Sequence, residues 1–133
     1  MVMSMKRQVV LTPIRIDEAT LLSGRTMTAG MGAAVYFSGV VRGSEAGDSI
    51  RAIEYEAFDE MVRRQFELIF LEIERKWPIE SIRLVHRVGV VPVNEASLWV
   101  EVVAPHRGEA FDACRHLIDE MKRIVPIWKK PLS

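Results

Sequence analysis

Two long amphipathic stretches, each closed by a proline, constrain this chain most. In the first, residues 59–77, Val62, Phe66, Ile69, Phe70, Ile73 and Trp77 recur at helical spacing on one face, and Pro78 ends the run. The second, "PHRGEAFDACRHLIDEMKRIV", passes from a loop into a helix that gathers Phe111, Cys114, Leu117, Ile118, Met121 and Val125 on one stripe. Pro126 lacks the amide hydrogen needed to continue it, so the helix ends at or before Val125. Neither helix can shelter its apolar stripe alone. Each needs another layer to pack against.

Strand-like segments supply that layer. "QVVLT" and "GAAVYFSGVV" (32–41) are short β-branched runs. Residues 50–58 alternate Ile53, Tyr55 and Ala57 against Glu54 and Glu56, the pattern of a half-buried strand. "SIRLVHRVGVV" (81–91) and "SLWVEVVA" (97–104) are joined by the turn "PVNEA", which predicts an antiparallel hairpin. "IDEATLLS" predicts a short helix with Asp17 as its N-cap. The order is strand, helix, two strands, helix, two strands, helix. It predicts an α+β fold, a mixed or antiparallel sheet covered by helices, in one domain over 1–133 with residues 1–7 disordered.

The chain's 18 basic and 18 acidic residues cancel. No global field draws in nucleic acid or an anionic membrane, so an anion site has to be local. Cys114 is the only cysteine. That rules out an internal disulfide or CxxC pair and fits the cytoplasm. The first residues lack a signal-peptide core, and no run approaches the roughly 20 apolar residues of a membrane span. His86, His106 and His116 lack a metal-ligand spacing, so neither a metal nor another cofactor is expected. His86 alternates with Leu84 and Val88 and is read as a hydrogen-bonded sheet residue. His116 falls on the polar face of its helix, and Cys114 is read as an inert core thiol.

Three places remain where chemistry could sit. On a helical wheel starting at Phe111, Lys122 falls at about 20°, at the edge of the apolar stripe. It either snorkels, laying its methylenes on the core rim, or it is a partly desolvated amine able to exchange protons near neutral pH. Lys129 follows the Pro126 break on an extended tail that Ile127 and Trp128 are expected to pin. The tail would return Lys129 toward Lys122; the alternative is a solvated basic terminus. His106 and Arg107 stand just before the last helix, where free N–H groups favour an anion and Arg adds a bidentate phosphate donor. The alternative there is capping and loop packing. Arg42 opens the Gly/Ser loop 42–49, which is read either as a flexible connection or as a loop that moves over a ligand. Taken together, these residues describe an α+β domain with a local cationic site for a phosphorylated or carboxylated ligand.

The segments "GAAVYFSGVVRG", "IEYEAF", "HRVGVVPVNEASLWVEVVAPHRGEAFDAC" and "IDEMKRIVPIWKK" resemble the large, catalytic subunit of molybdopterin synthase, in that family's order and spacing, from about residue 8 to Lys130. The resemblance implies an α/β-hammerhead fold. It implies sulfur transfer from the thiocarboxylated Gly-Gly terminus of a small ubiquitin-like subunit to cyclic pyranopterin monophosphate, forming the dithiolene of molybdopterin. It also implies a homodimer within a heterotetramer. By motif, Lys122 and Lys129 match the two active-site lysines. His106 and Arg107 match the family's "HR" pair, and Arg42 matches the arginine after the first core strand. In that scheme Lys122 handles protons and Lys129 holds the tail or the phosphate. Arg42, His106 and Arg107 grip the phosphate, with part of the site supplied by the dimer mate. Family members continue past "WKK" with a polar segment and a tryptophan-containing tail, where this chain reads "PLS". A non-catalytic phospho-ligand binder or a scaffold homologue are the competing readings.

Overall fold

A computed structural model describes residues 4–133. Its main sheet has four strands in the order β1-β6-β8-β2. These are Lys6–Thr12 (β1), Ala33–Val40 (β2), Ser81–Arg87 (β6) and Ala96–Ala104 (β8). β1 runs parallel to β6, while β6–β8 and β8–β2 are antiparallel, so the sheet is mixed. Two 18-residue helices, Asp59–Lys76 (α2) and Arg107–Ile124 (α3), cover one face of it. Each carries acidic residues in its first turn and basic ones in its last, which complements the helix dipole.

The core lies between that sheet face and the helices. Phe66, Phe70, Ile73, Ile82, Leu84, Val100, Val102 and Leu117 are fully buried there. β8 is buried along its whole length because both of its faces are covered. On the other face, the short helix Glu18–Ser23 (α1) closes over Ile16, Val85, Ala96 and Trp99. Asp17 caps α1 as expected, accepting from the Thr20 amide at 3.2 Å.

A second sheet has the order β7-β5-β9 and is antiparallel throughout. It consists of Ala52–Ala57 (β5), Gly89–Pro92 (β7) and Ile127–Leu132 (β9). Between β2 and β5 the two-residue strands Ser44–Glu45 (β3) and Asp48–Ser49 (β4) form a small hairpin.

Several expectations change. Residues 1–3 lie outside the described residues, but the disorder expected for 1–7 does not extend to Met5–Arg7. Met5 is buried, its amide donates to Glu74, and Lys6 and Arg7 pair with β6. The run 81–91 is not one strand. Gly89 takes a φ of +84°, and the chain leaves the main sheet after Arg87 to enter the second one as β7. Loop 42–49 is the β3–β4 hairpin. Its tip residues Ala46 and Gly47 have φ of 52° and 87°, the signs a two-residue hairpin turn requires. Phe111, placed on the core stripe, is 59% exposed. It meets a groove between α3 and β2 rather than the interior.

Candidate active site

The end of α3 and the strand after it build the site. The helix stops at Val125, whose extended backbone (φ −82°, ψ 124°) turns the chain at Pro126. β9 then runs back antiparallel to β5, with Tyr55 opposite Lys129 and Glu56 opposite Trp128. Directly opposed residues share a sheet face, so Lys129 lies on the same side as the half-buried Tyr55. That side opens on a cleft of about 460 Å³ lined by Met121 and Lys122 of α3, by Val125 just past its end, and by Ile127 and Lys129 of β9. Phe37, Gly39 and Val40 of β2, Tyr55, His86, Ser97 and Leu98 complete the wall. The two lysines anticipated from the Pro126 break therefore meet in one cavity.

Of the two readings of Lys122, its exposure along the cleft favours the one in which its charge reaches water. One detail differs from expectation. Trp128 does not anchor the tail in the core. It is 51% exposed and packs edge-on against Phe58, with ring centroids 5.1 Å apart. The pairing of β9 with β5 and the half-buried Ile127 hold the tail in its place.

Lys129 donates to Glu45 of the β3–β4 hairpin at 2.8 Å. The Lys129 ammonium, first through that hydrogen bond and then through its charge, holds the Glu45 carboxyl below its usual range, and the Arg42 guanidinium adds to the effect. Arg42 is exposed beside this pair and does not line the cleft.

His106 and Arg107 are elsewhere. They form the N-cap and first residue of α3, and His106 Nδ1 meets Glu109 Oε1 at 3.1 Å. Lys122 lies 15 residues further along the same helix, about 22 Å away at 1.5 Å per residue. Within one chain, the lysine pair and the His106–Arg107 pair cannot hold the same small anion.

Cys114 behaves as foreseen, buried and with its thiol pushed up to about 11 by burial. His116 does not: it is half-buried against α2, edge-on to Trp77, with Nε2 2.9 Å from Glu72 Oε1. Glu72, His116 and Glu120 bring potential ligand atoms within 4.8 Å of one another. Lys76 and Arg123 already hold the two carboxylates, so the group reads as a charge network between the helices. Among the cleft residues, His86 and Tyr55 were read from the sequence as sheet residues and not as part of a site. The strand period did place His86 on the helix-facing side with Ile82 and Leu84. What it could not show was that the strand ends there, beside the end of α3.

Fold and cleft define a small α+β enzyme domain with a two-amine pocket suited to an anionic ligand. Comparison with known proteins agrees. Residues 9–124 match the profile of the MoaE protein family, and the chain belongs to that family, whose members are the catalytic subunits of molybdopterin synthase, transferases of molybdenum cofactor biosynthesis. A molybdopterin synthase catalytic subunit from Pyrococcus abyssi is 38% identical over 118 residues, covering 89% of this chain and 78% of that one. The one from Drosophila erecta is 40% identical over 105 residues, but the chain spans only 29% of its length. The crystal structure of molybdopterin synthase from Staphylococcus aureus superposes with a TM-score of 0.78 at 34% identity, covering 93% of this chain and 88% of that one. A complex of subunits 1 and 2 of the molybdopterin-converting factor from Helicobacter pylori shares the fold at a TM-score of 0.74 and 20% identity, covering 94% of this chain and 83% of that one. No described helix is long and apolar enough to cross a membrane.

Proposed function

We propose that this chain transfers sulfur from the thiocarboxylated C-terminus of a small ubiquitin-like subunit to cyclic pyranopterin monophosphate in the cytoplasm, and that Lys122 and Lys129 carry the chemistry. The observation that supports this reading is the convergence of both lysines on one cleft across the Pro126 turn. An ammonium within reach of the reacting carbon can move the proton that sulfur attack displaces and steady the oxyanion that develops. The sulfur arrives already activated on its carrier, so the inert Cys114 has no part in it. In this reading Lys129 exchanges Glu45 for the thiocarboxylate tail or the phosphate, and Arg42 stands at the same edge to share that anion.

The separation within α3 bears on His106 and Arg107. They join the site when a second copy of the chain brings the start of its α3 to the end of the first. β2 is an open edge of the main sheet, and a groove of about 350 Å³ beside it is lined by Val35, Phe37, Phe111 and Ile118. A two-fold pairing along this side sets the two α3 helices antiparallel, buries Phe111, and places each His106–Arg107 pair at the partner's lysines. A small subunit on each copy would complete a heterotetramer.

Mixing tests the arrangement. Lys122→Ala and Arg107→Ala chains, each inactive alone, are unfolded together, refolded and assayed for dithiolene product. A composite site restores roughly a quarter of the wild-type sites, because half the dimers are mixed and one of their two sites is intact. No recovery from a verified mixed dimer would contradict the composite site.

A further inference from the structure

The cleft wall includes a buried histidine that no role above uses. His86 is the last helix-facing residue of β6 before the chain crosses to the second sheet, and it is only 4% exposed. Its ring stands edge-on to Tyr55 with centroids 5.2 Å apart. Nδ1 lies 2.8 Å from the Arg87 carbonyl oxygen. A carbonyl can only accept, so Nδ1 carries the proton. The neutral ring then presents a bare lone pair at Nε2. No protein group among the described residues bonds to that atom. Among the described residues, side-chain atoms sealed from the surface without a hydrogen bond include Arg87 Nε and Glu109 Oε2. His86 Nε2 is not one of them, and His86 lines the cleft. The charged groups facing the cleft are Lys122 and Lys129, and no carboxylate contacts the ring to favour a second proton. Burial also disfavours the charged form.

We infer that His86 Nε2 is a fixed hydrogen-bond acceptor in the cleft, which takes an N–H from the ligand that Lys122 and Lys129 hold. The inference rests on the synthase reading for its choice of ligand. Two donors have the right chemistry: an amide N–H of the carrier's Gly-Gly tail and a ring N–H of the pterin. An acceptor opposite two amines sets orientation. The cations attract the anionic end of the ligand, and the imidazole accepts only from a donor edge turned the other way. A ligand whose N–H is left unpaired against a buried wall loses about ten-fold or more in affinity.

The test uses the whole chain and two substitutions. His86→Phe keeps a ring against Tyr55 and removes the acceptor, whereas His86→Gln keeps an acceptor near the Nε2 position. Binding of the Gly-Gly-ended small subunit without its thiocarboxylate, and of cyclic pyranopterin monophosphate, is measured by calorimetry for each. The expected result is a loss of about ten-fold for one of the two ligands in His86→Phe, largely recovered in His86→Gln. The ligand that weakens identifies the donor. The nitrogen spectrum of the ligand-free wild type at neutral pH is expected to show a protonated Nδ1 and a bare Nε2. Both affinities within two-fold of wild type in His86→Phe, no recovery in His86→Gln, or a proton on Nε2 would each overturn the inference. A wild type that binds neither ligand overturns the synthase reading and the choice of donor together. The nitrogen spectrum then decides alone whether the cleft carries the acceptor.

Discussion

Lys129 of β9 is held at 2.8 Å by Glu45, a residue 84 positions earlier in the chain, at the end of β3 just before the hairpin turn. The ligand-free site is thus partly self-neutralised. An anion that binds there competes with Glu45 for the ammonium. Replacing Glu45 with Gln removes the competitor and keeps the shape. Affinity for cyclic pyranopterin monophosphate is expected to rise, by at most about five-fold, the ceiling set by an exposed ion pair, and the gain should shrink with added salt. Unchanged or weaker binding in a titration would show that Glu45 organises the lysine and does not restrain it.

The opposite face of the main sheet carries a buried charge. Glu101 is 1% exposed and accepts two hydrogen bonds of 2.7 Å from Arg83 and one of 2.8 Å from the Tyr36 hydroxyl. Arg83 also lies over the Trp99 ring at 5.1 Å and donates to the Leu21 carbonyl, which ties α1 to the sheet. Glu101→Ala strands Arg83 and is expected to cost about 3–5 kcal/mol in denaturant unfolding. Replacing Arg83 and Glu101 together by Met and Leu should cost far less, since no unpaired charge remains. Equal losses for the single and double variants would contradict that account.

His86 gives the fold a pH dependence with a definite sign. Burial lowers its pKa below the usual 6.5, a shift only partly offset by the Arg87 carbonyl bond. The unfolded chain therefore binds the proton more readily. The stability contributed by neutral His86 is complete above about pH 6.5, falls as the pH drops below it, and stops falling once the lowered folded-state value is passed. Unfolding free energies measured across that window should slope downward with acid in the wild type, and the slope should decrease by one proton in His86→Phe. An unaltered slope would assign the effect to other groups.

Cys114 should be silent toward alkylating agents. Its thiol is buried and pushed up to about 11, so at pH 8 only roughly a thousandth is thiolate. Labelling is expected to follow unfolding: negligible in buffer and complete in denaturant. Fast labelling of the native chain would show that the α3–sheet contact opens.

What the sequence disclosed and what it hid follow physical lines. The two helices were legible because a stripe and a terminal proline are local signals, and the meeting of Lys122 with Lys129 followed from one of those prolines. Phe111 was misplaced because a helical wheel reports an apolar face, not what that face meets. The β6–β7 break depends on a single positive φ at Gly89, and the β3–β4 turn uses Ala46-Gly47 in place of the Asn-Gly pair that announces such turns. Arg42, His106 and Arg107 were found as cations at suitable places, but sequence distance could not show that α3 holds the His106–Arg107 pair some 22 Å from the lysines. His86 looked structural because it alternates with Leu84 and Val88 along a strand. Its second nitrogen matters only in the folded cleft.

The central claim is that Lys122 performs chemistry at an exposed position of the cleft. Because the residue is exposed, Lys122→Ala should leave stability within about 0.5 kcal/mol of wild type. The most direct measurement is a single turnover with a thiocarboxylated small subunit and cyclic pyranopterin monophosphate, following the dithiolene product by mass spectrometry. The account predicts product from the wild type and a rate at least about 100-fold lower from Lys122→Ala, the usual minimum for losing a proton-transfer group. A Lys122→Ala chain that folds, binds the small subunit and forms product at the wild-type rate would contradict it.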